Sequence, residues 1–569
     1  MKAKNKLSLA FNVISVGLII AYLIIAGTRA IYVTTDELID STLQVNQAIS
    51  ITSGHWLGNY SPYLLTKGLS FPFFLVFNHL IGLPFNWALA IFNLGTVIIL
   101  ILVIIPFVNK KSLVVTTLLA CLLFNPLMFE LSTARTYRDA TAYASMILLL
   151  AWVVGFVFNS NVAFRKSSFV TSVIAGAIGF PYWVNLREDS AWIYPFIVVA
   201  FGVSIVTALL KKVASRKWLM RISLLIFLPL FILGVEDLCI AGMNRHYYGR
   251  FVVNEYTSKD FKTAIGTMSA VKTNSWVINV PVNTAARKQM YKYVPAFKKL
   301  KPYLDENRKD GMDFFKDIGV AEPSLGHDYQ GGWFPWAYRG AVAKAGYAHN
   351  SAQFKRYNER LVKQLLKAEK EGKISGSGKA RSSLVAPIKV TIVMPTLRAS
   401  KIVAHKMINF EGLTFNLQSS KEKSSKNFYS IVDFLKLKGH FSEGKNDLIL
   451  SERVLIWLTS VAKLLSKLMI VVVMFSYLVY IIWRIKIHEP KLIVSDWWML
   501  ASLGMMISVV LRICMLGYVT ATSFVAYSTS YMSSMYPLFT IGAFCCLFAD
   551  TKVIKSLKVD YESDDPIAQ

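Results

Sequence analysis

Apolar runs long enough to cross a bilayer recur near residues 8–27, 86–107, 111–129, 140–158, 168–184, 191–210, 219–240, 460–483, 496–518 and 530–549. About ten membrane-spanning helices are predicted. The connections between them are short except for residues 28–85, which join the first two runs, and residues 242–450, which stand as an insertion before the last three runs. The stretch Ser70 to Leu83 is apolar but holds only fourteen residues, fewer than the roughly 17 that a span requires. It predicts an amphipathic helix lying on the membrane surface.

Within the insertion the pattern changes. Phe354, Tyr357, Leu361 and Leu365 recur at spacings of three and four and predict an amphipathic helix over 351–370, stopped by Gly372. The segment GKISGSGKARSS, Gly372 to Ser383, reads as a flexible link. KVTIVMPTL from Lys389 and MINFEGLTFNLQ from Met407 read as strands. The expected fold class is a polytopic α-helical membrane protein with a large extracytoplasmic mixed α/β domain. Its expected parts are an N-terminal membrane domain, 1–241, the basic insertion, 242–450, a second set of spans, 451–551, and a tail, 552–569.

The connections Asn109 to Lys111, Arg165 to Lys166, Lys211 to Arg221, Arg484 to Lys491 and Lys552 to Lys558 are basic and fall on one side when the spans alternate. The positive-inside rule makes that side, with both termini, the cytoplasm of a multi-pass cell-membrane protein. Lys2, Lys4 and Lys6 ahead of the first run also fit a cleaved signal peptide, but the length of the run favours a retained span. The insertion and three short loops that mix acidic and basic residues then face outward.

Composition sharpens this picture. With 54% hydrophobic residues the chain is membranous, and its net charge of +28 suits lipid head groups, lipid-linked phosphates or an anionic surface polymer. Basic groups spread across a membrane argue against nucleic acid. The insertion carries about 35 basic and 17 acidic residues. The five cysteines fall in or beside apolar segments and form no disulfide framework or CxxC site.

The loop after the first span reads YVTTDELID and holds Asp36, Glu37 and Asp40. Thr34 and Glu37 match a capping box, which gives Glu37 a structural role and leaves Asp36, on the face of Asp40, as the carboxylate least explained by structure. The second loop, ELSTARTYRDA, brings Arg135, Tyr137, Arg138 and Asp139, and the third, NLREDSAW, brings Arg187, Glu188 and Asp189. Guanidinium groups bind phosphate through paired hydrogen bonds, and a carboxylate can take a hydroxyl proton. Lys67 is a further phosphate candidate or a snorkelling interface lysine. His55 is a sugar contact or an interface anchor. Trp333, Trp336 and Arg339 in the insertion are core residues or a sugar-stacking surface.

An Asp-Glu pair directly after span one, followed by a surface helix and then an apolar surface helix before span two, resembles the membrane glycosyltransferases of the GT-C fold. The bacterial relatives of the dolichyl-phosphate-mannose protein mannosyltransferases are the most similar group. Asp36-Glu37 occupies that family's DE position, FPFFLVFNHLIGLP its second surface helix, STARTYRD its Arg-containing loop, and SYMSSMYPLF its closing segment. Where those enzymes carry a His-Pro-Pro run this chain reads Lys67-Gly68, which leaves sugar and acceptor open. The resemblance implies a polyprenyl-phosphate sugar as donor and a cell-surface glycan, lipid or protein as acceptor. It further implies Asp36 as base with Glu37 beside it, Arg138 with Arg135 or Arg187 on the leaving phosphate, and inversion at the anomeric carbon. Asp139, Asp40 and Asp189 would support these groups, and the acidic loops leave open a divalent cation, Mg or Mn. A lipid or polysaccharide transporter or flippase, and a non-catalytic polymer-binding protein, are the competing readings. Charges crowded at span ends rather than mid-membrane, with Arg512 the exception, weigh against transport.

Overall fold

The computed structural model describes residues 2–35, 37, 39–212, 214–274, 279–317, 328–385, 387–415, 420, 426–443, 452–487 and 494–563. The N-terminal part comprises α1 (Lys2–Gly27), α2 (Ser41–Thr52), α3 (Ser70–Ile81), α4 (Phe85–Ile104), α5 (Lys111–Leu123), α6 (Asp139–Asn161), α7 (Lys166–Val184), α8 (Tyr194–Leu210) and α9 (Arg216–Tyr248). The insertion follows with α10 (Lys259–Met268), α11 (Thr284–Tyr293), α12 (Pro295–Lys298), α13 (Lys301–Leu304), α14 (Phe314–Asp317), α15 (Phe334–Lys344), α16 (Ser351–Lys370), α17 (Val393–Asn409) and α18 (Lys426–Phe434). The chain closes with α19 (Glu452–Ile487), α20 (Val494–Thr522), α21 (Thr529–Met532) and α22 (Met535–Ser563).

Among the described residues eight helices, α1, α4, α6, α7, α8, α9, α19 and α20, are long and apolar enough to cross a membrane. The chain is a polytopic helical membrane protein. Two of the ten predicted spans are shorter apolar helices. The run 111–129 stops as a helix at Leu123, because Asn125 accepts a hydrogen bond from the Leu127 amide and Pro126 opens a tight turn. The run 530–549 is broken after Met532, and its apolar helix is Met535–Ala549.

The bundle is organised around α6, whose residues from Asp139 to Ser160 are all buried. Its closest neighbour is α7, and glycine makes that approach possible. A Cβ on Gly155 would lie 1.7 Å from Ser172 Oγ, and one on Gly176 would lie 2.4 Å from the Trp152 ring. Small residues at a crossing bring two backbones together where lipid supplies no hydrophobic drive. The apolar side of α3 exposes Phe77, Leu80 and Ile81, and Gly82 ends the helix at φ +79°.

The insertion builds its own core from α10 to α16, with Phe261, Phe297, Phe334, Tyr338, Phe354 and Leu361 buried. The predicted helix over 351–370 is α16, with its expected stripe inward and Gly372 at φ +69°. No strand occurs among the described residues, where only two isolated bridges pair extended backbone. The expected α/β character is therefore corrected. KVTIVMPTL, despite its β-branched residues, turns into α17, because Ala399, Val403 and Met407 at helical spacing bury against the membrane helices. Gly517 of α20 lets Thr396 and Ser400 approach closely. In MINFEGLTFNLQ, Met407 to Asn409 finish α17 and Phe410 takes a left-handed turn at φ +53°. Residues 416–418 of that stretch lie outside the described residues.

The end of the insertion returns to brace the first loop. The Ile31 amide donates to the His440 carbonyl at 2.8 Å, the Ser442 amide to the Ile31 carbonyl at 2.8 Å, and the Tyr32 amide to the Ala134 carbonyl at 2.7 Å. Helix α18 closes over this region, with Phe434 stacked on His79 of α3 at 4.4 Å. The first loop is thus clamped between the second loop and the insertion.

Candidate functional site

The three mixed-charge loops converge on a cavity of about 550 Å³ at the end of the bundle, walled on one side by the insertion. Asp40 and Lys67 line it from the first loop and the approach to α3, and Arg135, Tyr137, Arg138 and Asp139 from the second loop. Arg187, Glu188 and Asp189 come from the third, and Tyr256, Trp333 and Trp336 from the insertion. The far wall is α20 and the turn after it, with Arg512 and Tyr531.

Local structure fixes each contributor. Arg29, just past α1, donates to the carbonyls of Met128 at 2.8 Å and Glu130 at 2.7 Å and to Thr133 at 3.0 Å, which ties the first loop to the second. The Glu130 carboxylate caps the following turn through the Ser132 amide at 2.8 Å and accepts from Thr529 at 3.1 Å. Burial pushes the Glu130 carboxyl above its usual range. Behind Lys67, the tight contact of Gly68 with the Asn185 backbone leaves no space for a side chain.

The charges pair within four neighbouring groups. Lys67 donates to Asp40 at 2.8 Å and to the Tyr137 hydroxyl at 3.3 Å, and Tyr137 donates to Asp40 at 3.0 Å. Arg138 meets Glu188 at 2.7 Å. Arg187 spans Asp139 at 2.5 Å and Asp189 at 2.9 Å, and Asp189 also accepts from Arg512 at 2.7 Å. Arg135 holds Glu37, which also accepts from Ser41. Burial alone would raise the Asp40 carboxyl, but Lys67, with Arg138 and Arg135 beyond it, holds it down at about 2. Burial is likewise outweighed at Glu188 by Arg138 and then Lys67, and at Asp189 by Arg187 and Arg512, so both carboxyls lie below the usual range. Burial pushes the Tyr137 hydroxyl well up. That tyrosine stays a neutral donor.

Among the described lining residues five cations, Lys67, Arg135, Arg138, Arg187 and Arg512, face four carboxylates, Asp40, Asp139, Glu188 and Asp189. The Nε of Arg135, of Arg138 and of Arg512 is buried with no hydrogen-bond partner. Buried N–H groups of that kind are costly unless an acceptor arrives. Aromatic rings flank the cations: Arg135 and Arg138 lie 5.0 and 5.3 Å from the Tyr137 ring centre, and Lys67 4.8 Å from that of Trp336. Cations flanked by aromatic rings can hold an anion with several oxygens and stack a ring beside it.

Sequence-predicted residues divide accordingly. Lys67, Arg135, Arg138, Arg187, Asp40, Asp139, Asp189, Trp333 and Trp336 meet at the cavity. Asp36 lies outside the described residues. The expected capping box does not form, because α2 begins only at Ser41 behind Asp40, and Glu37 pairs with Arg135 instead. His55 sits exposed beyond the end of α2 and is not among the lining residues. Arg339 is fully buried against Glu255 and donates to the Pro62 carbonyl at 2.5 Å, so it joins the insertion to the segment after α2 and is not among the residues lining this cavity. Among the described residues no three metal-ligating side chains converge, and each lining carboxylate already faces a cation. The described donor set does not fit a divalent cation.

Sequence reasoning named Tyr137 and Glu188 only as members of the charged loops, and assigned no site role to Tyr256, Arg512 or Tyr531. For Arg512 a signal existed, since it is an arginine inside an apolar span. For the others, only the folding of distant segments onto one another reveals the role. Comparison with protein-family models, with curated proteins and with solved structures returned no match.

Proposed function

We propose that the chain is a GT-C-type membrane glycosyltransferase that moves a sugar from a polyprenyl-phosphate donor to a hydroxyl of a cell-surface acceptor. The observation that carries this reading is the cavity itself: arginines with unmatched Nε–H groups beside tryptophan and tyrosine, at the end of an apolar bundle. A lipid-linked phosphate sugar combines the features such a place accepts, an anion, a sugar and an apolar tail. The basic connections opposite support an outward orientation of this end, and on that face nucleotide sugars are scarce and a lipid-linked donor is the available form.

In this mechanism Asp36 takes the proton of the acceptor hydroxyl as its oxygen attacks the anomeric carbon. The bond from that carbon to the phosphate oxygen breaks, its electron pair leaves with the lipid phosphate, and configuration inverts. Arg138, Arg187 and Arg512 stabilise the departing phosphate by interactions in place before the reaction. Tyr137 and Lys67 hold Asp40 ionised and orient the mouth of the cavity. The carboxylates at Asp40, Glu188 and Asp189 keep the cations aligned and are too weakly basic to take the proton themselves.

The test is release of polyprenyl phosphate from a labelled polyprenyl-phosphate sugar by purified protein, together with Asp36→Asn. The substitution is expected to abolish transfer while donor binding stays measurable. Full activity of Asp36→Asn overturns the assignment of the base. Translocation of the intact donor without cleavage overturns the transferase reading in favour of a flippase.

A further inference from the structure

The outward side of the insertion is far more basic than the cavity requires. Among the described residues of 259–385, eighteen lysines and arginines are exposed against five exposed acids. Part of this excess is concentrated on one face. Helix α16 buries Phe354, Tyr357, Leu361 and Leu365, and its opposite side exposes Arg356, Arg360, Lys363, Lys367 and Lys370. The Ala296 amide donates to Gln364 at 2.7 Å and Tyr357 donates to the Ala296 carbonyl at 2.7 Å, which seats α12 beside α16. Exposed Lys292, Lys298 and Lys299 lie on α11 and in and just after α12. Of the acids there, Glu359 and Glu371 are engaged by their own neighbours Lys355 and Lys373.

This face points away from the membrane bundle. On α15, Tyr338 bonds Asn358 of α16 at 2.8 Å, while Trp336, two residues earlier, lines the cavity. Residues two apart project from nearly opposite sides of a helix, so α15 lies between the cavity and α16. A bilayer surface is therefore a poor match, and a flexible chain in the aqueous space a good one. Segment 372–385 connects the two places. Lys373 and Lys379 are exposed near its start, and Leu384 and Val385 at its end line the cavity. Leu384 lies eleven positions after Lys373, a reach of at most about 40 Å.

We propose that the basic face of α11, α12 and α16 docks a linear polyanion, a phosphodiester- or carboxylate-bearing polymer, and that this polymer is the acceptor guided along 372–385 to the cavity. The docking stands on the surface alone. The acceptor role rests on the transferase reading. Multiple cation–anion contacts displace counterions, so affinity falls steeply with salt.

The experiment uses the full chain in nanodiscs of zwitterionic lipid, with long-chain inorganic polyphosphate as probe. Wild-type protein is expected to bind it with a log-linear salt dependence. Charge reversal at four exposed positions, Lys292→Glu, Lys298→Glu, Lys363→Glu and Lys367→Glu, is expected to weaken binding at least tenfold, and the four Gln replacements to weaken it less. Release of polyprenyl phosphate to water is expected to stay unchanged in these variants. Unchanged polyphosphate binding in the reversed variant overturns the proposal. So does loss, in that variant, of binding to phosphatidylglycerol vesicles with polyphosphate binding intact, which would make the face a lipid surface. Polyphosphate binding by a protein that cleaves no donor would leave the docking face standing and remove the transferase reading.

Discussion

The Lys67 ammonium lies 2.8 Å from the Asp40 carboxylate, and the Tyr137 hydroxyl completes the triangle with 3.0 Å to Asp40 and 3.3 Å to Lys67. This arrangement locks the approach to α3 and the first and second loops to one another at the cavity mouth. It also makes stability depend on pH. The Asp40 carboxyl, ordinarily at 3.8, is held at about 2. Its contribution is present above pH 4 and is lost as pH falls toward 2. Because the carboxylate is one-third exposed, solvent screening limits the effect to about 1 kcal/mol. Thermal unfolding of wild type and Asp40→Asn between pH 6 and pH 2.5 is expected to show the wild-type advantage shrinking across that window. A constant gap would contradict the assignment.

Arg339 and Glu255 form a fully buried pair that holds α15 to the segment leading into α10. Removing one partner strands the other charge, at a cost of about 3–5 kcal/mol. Glu255→Gln and Arg339→Met should each lower the unfolding temperature markedly, and Glu255→Met combined with Arg339→Met should recover much of the loss. Equal damage in single and double variants would show that packing, not charge pairing, sets the cost.

Arg512 reaches Asp189 from within α20 while its Nε stays unmatched. On the transferase reading Arg512→Lys keeps the charge but loses the planar fork. Transfer is expected to fall at least tenfold, with the donor KM raised, while expression persists. Wild-type kinetics in that variant would remove Arg512 from the donor site.

Gly155 tests the crossing of α6 and α7. A methyl group there meets Ser172 Oγ at 1.7 Å, whereas one on Gly95 of α4 meets nothing within 4 Å. Gly155→Ala is expected to cost about 1–3 kcal/mol, and Gly95→Ala to be neutral or slightly stabilising through helix propensity. Thermal stability in a fixed detergent separates the two.

The sequence by itself determined the membrane class and most of the spans, because twenty consecutive apolar residues have few other stable environments. It also exposed the stripe of α16 and the charged loops, whose residue types carry their chemistry wherever they fold. Tertiary structure decided what those charges do. Capping logic worked on neighbours and assigned Glu37 to Thr34, but the fold brought Arg135 from 98 residues away, and Glu37 pairs with that half-buried guanidinium. Strand propensity in Val390 to Val393 yielded to the apolar surface of α20, since burial at helical spacing outweighs a weak backbone preference. Arg339 looked like a sugar contact beside tryptophans until folding delivered Glu255 to it. The convergence of three loops, Lys67, α20 and the insertion on one cavity is a long-range event, and no local pattern encodes which distant charge will be the partner.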